Sequence, residues 1–203
     1  MKDVKRLVLA SNNPGKIREI AALLEPLSIE VVPQAELGIA EADEPHDSFL
    51  ENALAKARHA SRACGLPALA DDSGLCVPAL GGEPGVHSAY YAGRDGSREA
   101  RDARNNEKLL QSLKSDRRAF YTCVMVLTRA ASDPLPLVAE GLWHGEIARA
   151  PRGTNGFGYD PLFLVRDLNK TAAELDPDHK NRISHRGIAL QKLVGLLNES
   201  RRR

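Results

Sequence analysis

Residues Ser11, Asn12, Asn13, Pro14, Gly15 and Lys16 lie between a short apolar run, Arg6 to Ala10, and a stretch from Ile17 to Leu24 with apolar residues at helical spacing. A strand, a tight polar turn and a helix N-terminus bearing a lysine form a geometry suited to an anion. Free backbone N–H groups and the positive end of the helix dipole favour negative charge there, and the ammonium adds a full charge. A Walker A loop is excluded, because Lys16 is followed by Ile17 and not by the Ser or Thr that holds magnesium. The same residues also suit an ordinary strand–turn–helix connection, with Asn and Pro-Gly chosen for turn chemistry.

Asp71-Asp72-Ser73-Gly74 follows a second short apolar run, Pro67 to Ala70. Two carboxylates there can hold a hard cation, since magnesium takes one or two carboxylates plus waters and phosphate oxygens. One of them can serve as a base on water; a turn at the strand end is the plainer alternative. An acidic segment with Glu41, Asp43 and Glu44 is the natural partner of that site, and Lys16 and Lys56 are candidate phosphate clamps. Further on, Gly153 to Pro161 places glycines around Phe157 and Tyr159. Glycines let a backbone approach a flat ligand closely; Phe157 can stack on a base, while Asp160 bonds a polar edge or holds the loop. Last, Lys180 precedes Ser184-His185-Arg186-Gly187, adjacent donors at an expected helix break near Gly187.

The elements that must position these groups alternate. Ile29 to Val32 reads as a strand, and Ser48 to Glu51 fits a capping box. The helix it opens has an apolar face of Phe49, Leu50, Ala53, Leu54, Ala57 and Ala60, with Asn52 and Lys56 four apart on a different face. Ser97 to Leu113 reads as a charged surface helix. Ala119 to Thr128 and Leu137 to Ala148 read as long strands joined at Ser132-Asp133-Pro134 as an antiparallel hairpin, and Asp178 to Ser200 as helical. The pattern is α/β with a mixed sheet.

The chain has 203 residues, 42% of them hydrophobic, enough for a real core in one domain or two intimate lobes. Aromatics at 4% argue against a stacking platform for single-stranded nucleic acid, and 28 basic against 27 acidic residues leave no global field for DNA or RNA. Cys64, Cys76 and Cys123 form no Cys-x-x-Cys pair, as expected of free thiols in a reducing compartment. No apolar stretch approaches the roughly 20 residues of a membrane span, and the first residues lack a signal-peptide core. A cytoplasmic protein without membrane contact is expected. The closing Arg201 to Arg203 reads as a solvated end.

Together these segments resemble the inosine/xanthosine triphosphate pyrophosphatases, from Leu7 to about Leu197. The family pattern Thr/Ser-x-Asn-x-x-Lys is matched by Ser11, Asn13 and Lys16. Glu-Asn-Ala is matched by Glu51 to Ala53 with Lys56 following, Asp-Asp-Ser-Gly by Asp71 to Gly74, Phe-Gly-Tyr-Asp-Pro by Phe157 to Pro161, and Lys…Ser-His-Arg-Gly by Lys180 and Ser184 to Gly187. The resemblance implies a single domain over residues 1–203, a two-lobed α/β fold around a long mixed sheet with flanking helices and the active-site cleft between the lobes, usually in a homodimer. It implies magnesium-dependent hydrolysis of ITP, dITP and XTP to the monophosphate and pyrophosphate. By position, Asp72 matches the general base and metal-binding carboxylate, with Glu44 as upstream metal partner and Asp43 close behind. Ser11 to Lys16 and Lys56 match phosphate contacts, and Ser73 a substrate contact; Phe157, Gly158, Tyr159, Asp160, Lys180, His185 and Arg186 match the nucleoside side. Asn12 stands where many relatives have Gly, and Tyr90 where they usually have Arg. A Maf-like pyrophosphatase of pyrimidine or modified nucleotides and a non-catalytic nucleotide-binding protein are the rival readings; Ser-His-Arg-Gly argues against the first and the paired carboxylates against the second.

Overall fold

A computed structural model describes residues 4–201 of the chain; Arg202 and Arg203 of the basic end lie outside them. The elements run β1 (Arg6–Leu9), α1 (Pro14–Leu24), β2 (Glu30–Pro33), α2 (Phe49–Cys64), β3 (Ala68–Cys76), α3 (Arg98–Ser112), β4 (Arg118–Thr128), β5 (Leu137–Ile147), β6 (Phe163–Val165), β7 (Lys170–Thr171), α4 (Pro177–Ile183) and α5 (His185–Arg201). The strands form one seven-stranded sheet in the order β2-β1-β3-β4-β5-β6-β7. β1 is parallel to β2 and β3, whereas β6 is antiparallel to β5 and β7, so the sheet is mixed. β6 and β7 were not anticipated: strands of three and two residues are too short to show a period.

Two boundaries differ from the sequence reading in ways that matter. The strand expected to end at Ala70 runs on to Cys76, so Asp71 and Asp72 are strand residues and not a turn. Both are buried with cations against them, which removes the usual reason for a strand to stop at aspartate. The closing helical stretch is two helices. The break falls at Ser184, whose ψ of 162° is extended, and Gly187 lies inside α5. Helix α2 also presents a different face from the one expected. Leu50 is exposed, and the buried stripe is Asn52, Ala53, Lys56, Ala57, Ala60 and Ser61, which takes in the two polar residues assigned elsewhere.

The chain divides into two compact units. Of the described residues, one comprises 4–72, 123–141 and 185–201; the other comprises Ser73–Thr122 and Leu142–Ser184. In the first, period-two alternation along β1 and β3 sorts side chains onto two apolar layers. Leu7, Leu9 and Leu69 pack with Ile20 and Leu24 of α1 and Ala189, Leu190 and Leu193 of α5. Val8, Ala10, Ala68 and Ala70 pack with Ala53, Ala57 and Ala60 of α2. Gly141 of β5 lets α5 begin where it does: a side chain there would run into the His185 carbonyl and lie 2.6 Å from the Ala189 nitrogen. The second unit has an aromatic core in which Tyr121 and Trp143 pack on Phe163, with ring centroids 4.6 and 4.9 Å away, beside Leu75, Leu109 and Tyr159. Among the described residues no helix is long and apolar enough to cross a membrane, and all three thiols are free.

Candidate active site

The alternation that builds the first unit also separates its two central carboxylates. Asp71 continues the Leu7/Leu9/Leu69 side and meets α1 and α5; Asp72 continues the Ala68/Ala70 side and meets α2. The Asp71 Oδ2 atom lies 3.0 Å from Lys16 Nζ, accepts from Arg186 Nη2 at 3.3 Å and Nε at 3.4 Å, and faces the Cys123 thiol at 3.9 Å. The other edge of the Arg186 guanidinium is ion-paired with Glu19 of α1. Asp72 Oδ1 accepts from Lys56 Nζ at 3.0 Å and Asp72 Oδ2 from Asn52 Nδ2 at 3.3 Å. Lys56 also donates to Glu44 at 2.8 Å, so one ammonium bridges two carboxylates. Asn52 holds the acidic loop as well, exchanging hydrogen bonds with the backbone of His46. Asp43 is exposed. Ser73 follows on β3, half-buried.

Burial raises the cost of every charge here, and the neighbours decide the outcome. For Asp71, burial works against ionisation, but Lys16 and Arg186 overcome it and hold the carboxyl well below the ordinary range. For Asp72, burial pushes the pKa up; Lys56 and Lys16 oppose this, Glu44 adds to it, and the net direction is upward. Burial would discharge Lys56, yet Asp72 and Glu44 keep it firmly cationic, and Arg186 is likewise held cationic against burial by Glu19 and Asp71. One aspartate is thus a locked anion, and its neighbour is a carboxylate with raised proton affinity.

Helix α1 begins earlier than its apolar pattern suggested. Asn13 is the N-cap, and its side chain accepts from the N–H groups of Gly15 (3.0 Å) and Lys16 (3.3 Å). Pro14 has no N–H, and Ser11 Oγ takes the N–H of Asn13 at 3.2 Å. The free backbone donors expected in this turn are therefore largely engaged, and what the turn presents is the Lys16 ammonium and the Ser11 and Asn13 side chains. Asn12 accepts a 3.1 Å hydrogen bond from Gln34, a residue 3% exposed that no motif singled out.

In the second unit the Gly153–Pro161 loop is knit by Asp160, which is buried and accepts from the Phe157 N–H at 2.9 Å, Lys180 Nζ at 2.6 Å and the Tyr121 hydroxyl at 3.4 Å. Gly156 (φ +77°) must be glycine, because a side chain there would strike the Asp160 carboxylate. Of the two roles open to Asp160, the geometry gives it that of holding the loop. Tyr159 departs from the sequence reading: it is 3% exposed, and its hydroxyl donates to the Ser88 carbonyl at 2.9 Å, so it packs rather than faces a ligand. Phe157 stays half-buried with the Lys180 ammonium 5.1 Å from its ring centre. Arg186, expected beside the nucleoside, is 2% exposed with its guanidinium on Asp71 and Glu19; His185, next to it, is also buried.

Asn52 was noted in the sequence but given no role, and Glu19 was not singled out. The spacing of four between Asn52 and Lys56 was the available signal, since it puts both on one strip of α2. Among the described residues no cluster of three or more His, Cys, Asp or Glu groups to hold a metal by itself. The site still fits magnesium, which prefers few carboxylates and keeps waters and substrate oxygens: Asp72 and Glu44 share one cation, and the buried Asp71 Oδ1 has no hydrogen-bond partner.

Buried lysines and carboxylates lie at the middle of a mixed α/β sheet, with a capped strand–helix turn beside them. Residues 7–196 match the Ham1 family model, and the chain belongs to that family. It is 65% identical to the dITP/XTP pyrophosphatase of Burkholderia pseudomallei, over 97% of this chain and 95% of that one. It is 60% identical to the dITP/XTP pyrophosphatase of Bordetella pertussis, over 96% and 92%. Among solved structures, a HAM1 protein from Coxiella burnetii superposes with a TM-score of 0.87 at 49% identity, covering 96% of this chain and 98% of the other. The Staphylococcus aureus Ham1 protein gives 0.83 at 40%, covering 97% and 100%.

Proposed function

We propose that the chain hydrolyses non-standard purine nucleoside triphosphates (ITP, dITP and XTP) to the monophosphate and pyrophosphate, clearing them from the cytoplasmic nucleotide pool. The observation that carries this reading is Asp72: a buried carboxylate with raised proton affinity, oriented by Asn52 and Lys56, in a chain of the Ham1 family. Raised proton affinity is what a general base needs to take a proton from water near neutral pH. The water oxygen attacks the α-phosphorus, its proton passes to Asp72, and the α–β bridging oxygen leaves with pyrophosphate. Lys16 and Lys56, with the side chains of Ser11 and Asn13, offset charge on the polyphosphate and on the leaving group. Asp71 and Arg186 act through Lys16, fixing its position. Magnesium, held by Asp72 and Glu44, supplies further charge neutralisation when bound.

Base choice rests on the 6-keto oxygen, which accepts hydrogen bonds where adenine presents a 6-amino donor. A site furnished with donors, His185 among them, leaves buried groups unpaired against adenine, a mismatch that discriminates by up to about 10,000-fold. Phe157 is assigned to stacking on the base, with Gly158, Asp160 and Lys180 shaping its loop. The active form is assigned as a homodimer, with no DNA, RNA or membrane partner. One assay tests the reading: pyrophosphate release from ITP, XTP, dITP, dUTP, GTP and ATP with and without magnesium. Expected is magnesium-dependent release from the first three, far above ATP. Equal cleavage of ATP, a preference for dUTP, or tight ITP binding without release would overturn it.

A further inference from the structure

Asn52, Lys56 and His59 recur at helical spacing and share one strip of α2. The middle member sits between two acids as an ion would. Lys56 Nζ lies 2.8 Å from Glu44 Oε1 and 3.0 Å from Asp72 Oδ1. These are the two carboxylates that fit magnesium, so the ammonium and a divalent ion lay claim to the same oxygens. With both acids ionised, the trio carries one net negative charge, which repels a polyphosphate. The outer members of the strip hold the frame without Lys56. Asn52 exchanges hydrogen bonds of 3.1 and 3.0 Å with the His46 backbone, and His59 Nε2 lies 3.0 Å from the Ala40 carbonyl. The segment bearing Glu44 is thus clipped on both sides of that residue. Asn52 also holds the second oxygen of Asp72, at 3.3 Å. The acids therefore keep their places if the ammonium leaves.

The way out is on the Glu44 side, whose side chain is 39% exposed against 7% for Asp72, and the flexible four-carbon stem of lysine lets the ammonium turn. We propose that Lys56 is a displaceable place-holder for the divalent ion. The ion enters as a complex with the nucleoside triphosphate, takes the Asp72 and Glu44 oxygens from the ammonium, and releases Lys56 to the phosphates. This rests on the functional reading for the identity of the metal ligands, and it names the substrate as the metal–triphosphate complex. Two observations favour joint entry. Free metal must break two charge-assisted hydrogen bonds to reach the acids, and each is worth about 1.5–3 kcal/mol. Among the described residues no cluster of three or more His, Cys, Asp or Glu side chains offers a metal further ligands, so phosphate oxygens and water complete the shell. The exchange also reverses the local charge: the acids lose an ammonium, gain a divalent ion, and leave Lys56 free to meet the anion.

The test is magnesium binding in the absence of nucleotide, read by titration calorimetry and by thermal melts at about pH 8, where the acids favour their anions. The full chain is compared with K56M, K56Q and K56M/D72N. Expected is magnesium affinity about 10-fold or more higher in K56M than in the wild type, with a melting temperature that rises on adding magnesium. K56Q, which sets a neutral amide between the acids, behaves alike and serves where K56M does not fold. K56M/D72N loses the gain. In the wild type, magnesium raises the melting temperature further once the unhydrolysable α,β-methylene analogue of ITP is present. A wild type that binds magnesium alone as tightly as K56M and K56Q overturns the inference. So does a gain that survives in K56M/D72N, or an analogue complex that magnesium does not stabilise. Failure of the functional reading shows elsewhere, as a wild type that releases no pyrophosphate from ITP with magnesium; the nucleotide-free titration reads the exchange alone.

Discussion

Asp71 and Asp72 are chemically identical neighbours, yet the two faces of β3 make them different reagents. On the α1/α5 face, Asp71 meets Lys16 and Arg186 and is held ionised far below the ordinary carboxylate range. On the α2 face, Asp72 meets a lysine it must share with Glu44, and burial keeps its proton affinity high. The difference comes from the pleat, which sends successive residues to opposite layers, and from the count of cations on each side. An anion surrounded by more positive than negative charge serves as an anchor. An anion that must divide one cation with a second acid can accept a proton.

The comparison breaks most visibly at the anchor. Asp71→Asn leaves Lys16 and Arg186 buried with too little negative charge, a change worth about 3–5 kcal/mol of stability. For a chain of this size that is a melting-temperature drop of roughly 6–20 °C, read by thermal denaturation. The pH dependence sharpens it. A carboxyl whose folded pKa is depressed stabilises the fold above its unfolded pKa, about 3.9, and that contribution is lost as pH falls through the folded value. The wild type should therefore lose stability progressively below about pH 4, and D71N should lack that part of the acid slope.

On the other face, Lys56→Met leaves Asp72 and Glu44 without their common cation. Turnover of ITP should fall about 10- to 100-fold, the worth of a charge-assisted hydrogen bond. The acid limb of the kcat/KM profile should move to higher pH, because two acids then face each other with less to offset them. The smallest effect is expected from Asn52→Ala, which removes one neutral donor to Asp72. Turnover should drop severalfold, in keeping with about 0.5–1.5 kcal/mol, with the acid limb shifted the same way. An acid limb that stays put in both variants would detach Asp72 from the rate-limiting proton transfer.

Most of the architecture was legible because its signals are local and periodic. Leu7 to Leu9, the helix over residues 98–112 and the two long strands follow from runs and spacing. The misreadings share one cause: polar residues whose burial is compensated across the fold. Asp71 and Asp72 looked like a strand end because their cations, Lys16, Arg186 and Lys56, are distant in sequence. Asn52 and Lys56 were set on a face apart from the apolar one because Asp72 is twenty residues from Asn52. Arg186 looked like a ligand donor because nothing near it in sequence announces Glu19, 167 residues away. Residue types picked out the candidate residues, whereas the contacts among them needed the register of β3 and the faces of α1, α2 and α5.

The central claim is that Asp72 takes the proton while Asp71 holds the frame, and Asp72→Asn tests it most directly by pyrophosphate release from ITP alongside a thermal melt. Because burial already raises the proton affinity of Asp72, a neutral amide in its place should lower the melting temperature less than Asp71→Asn does at neutral pH. Turnover should fall at least about 100-fold. A folded D72N enzyme that releases pyrophosphate at close to the wild-type rate would contradict the account.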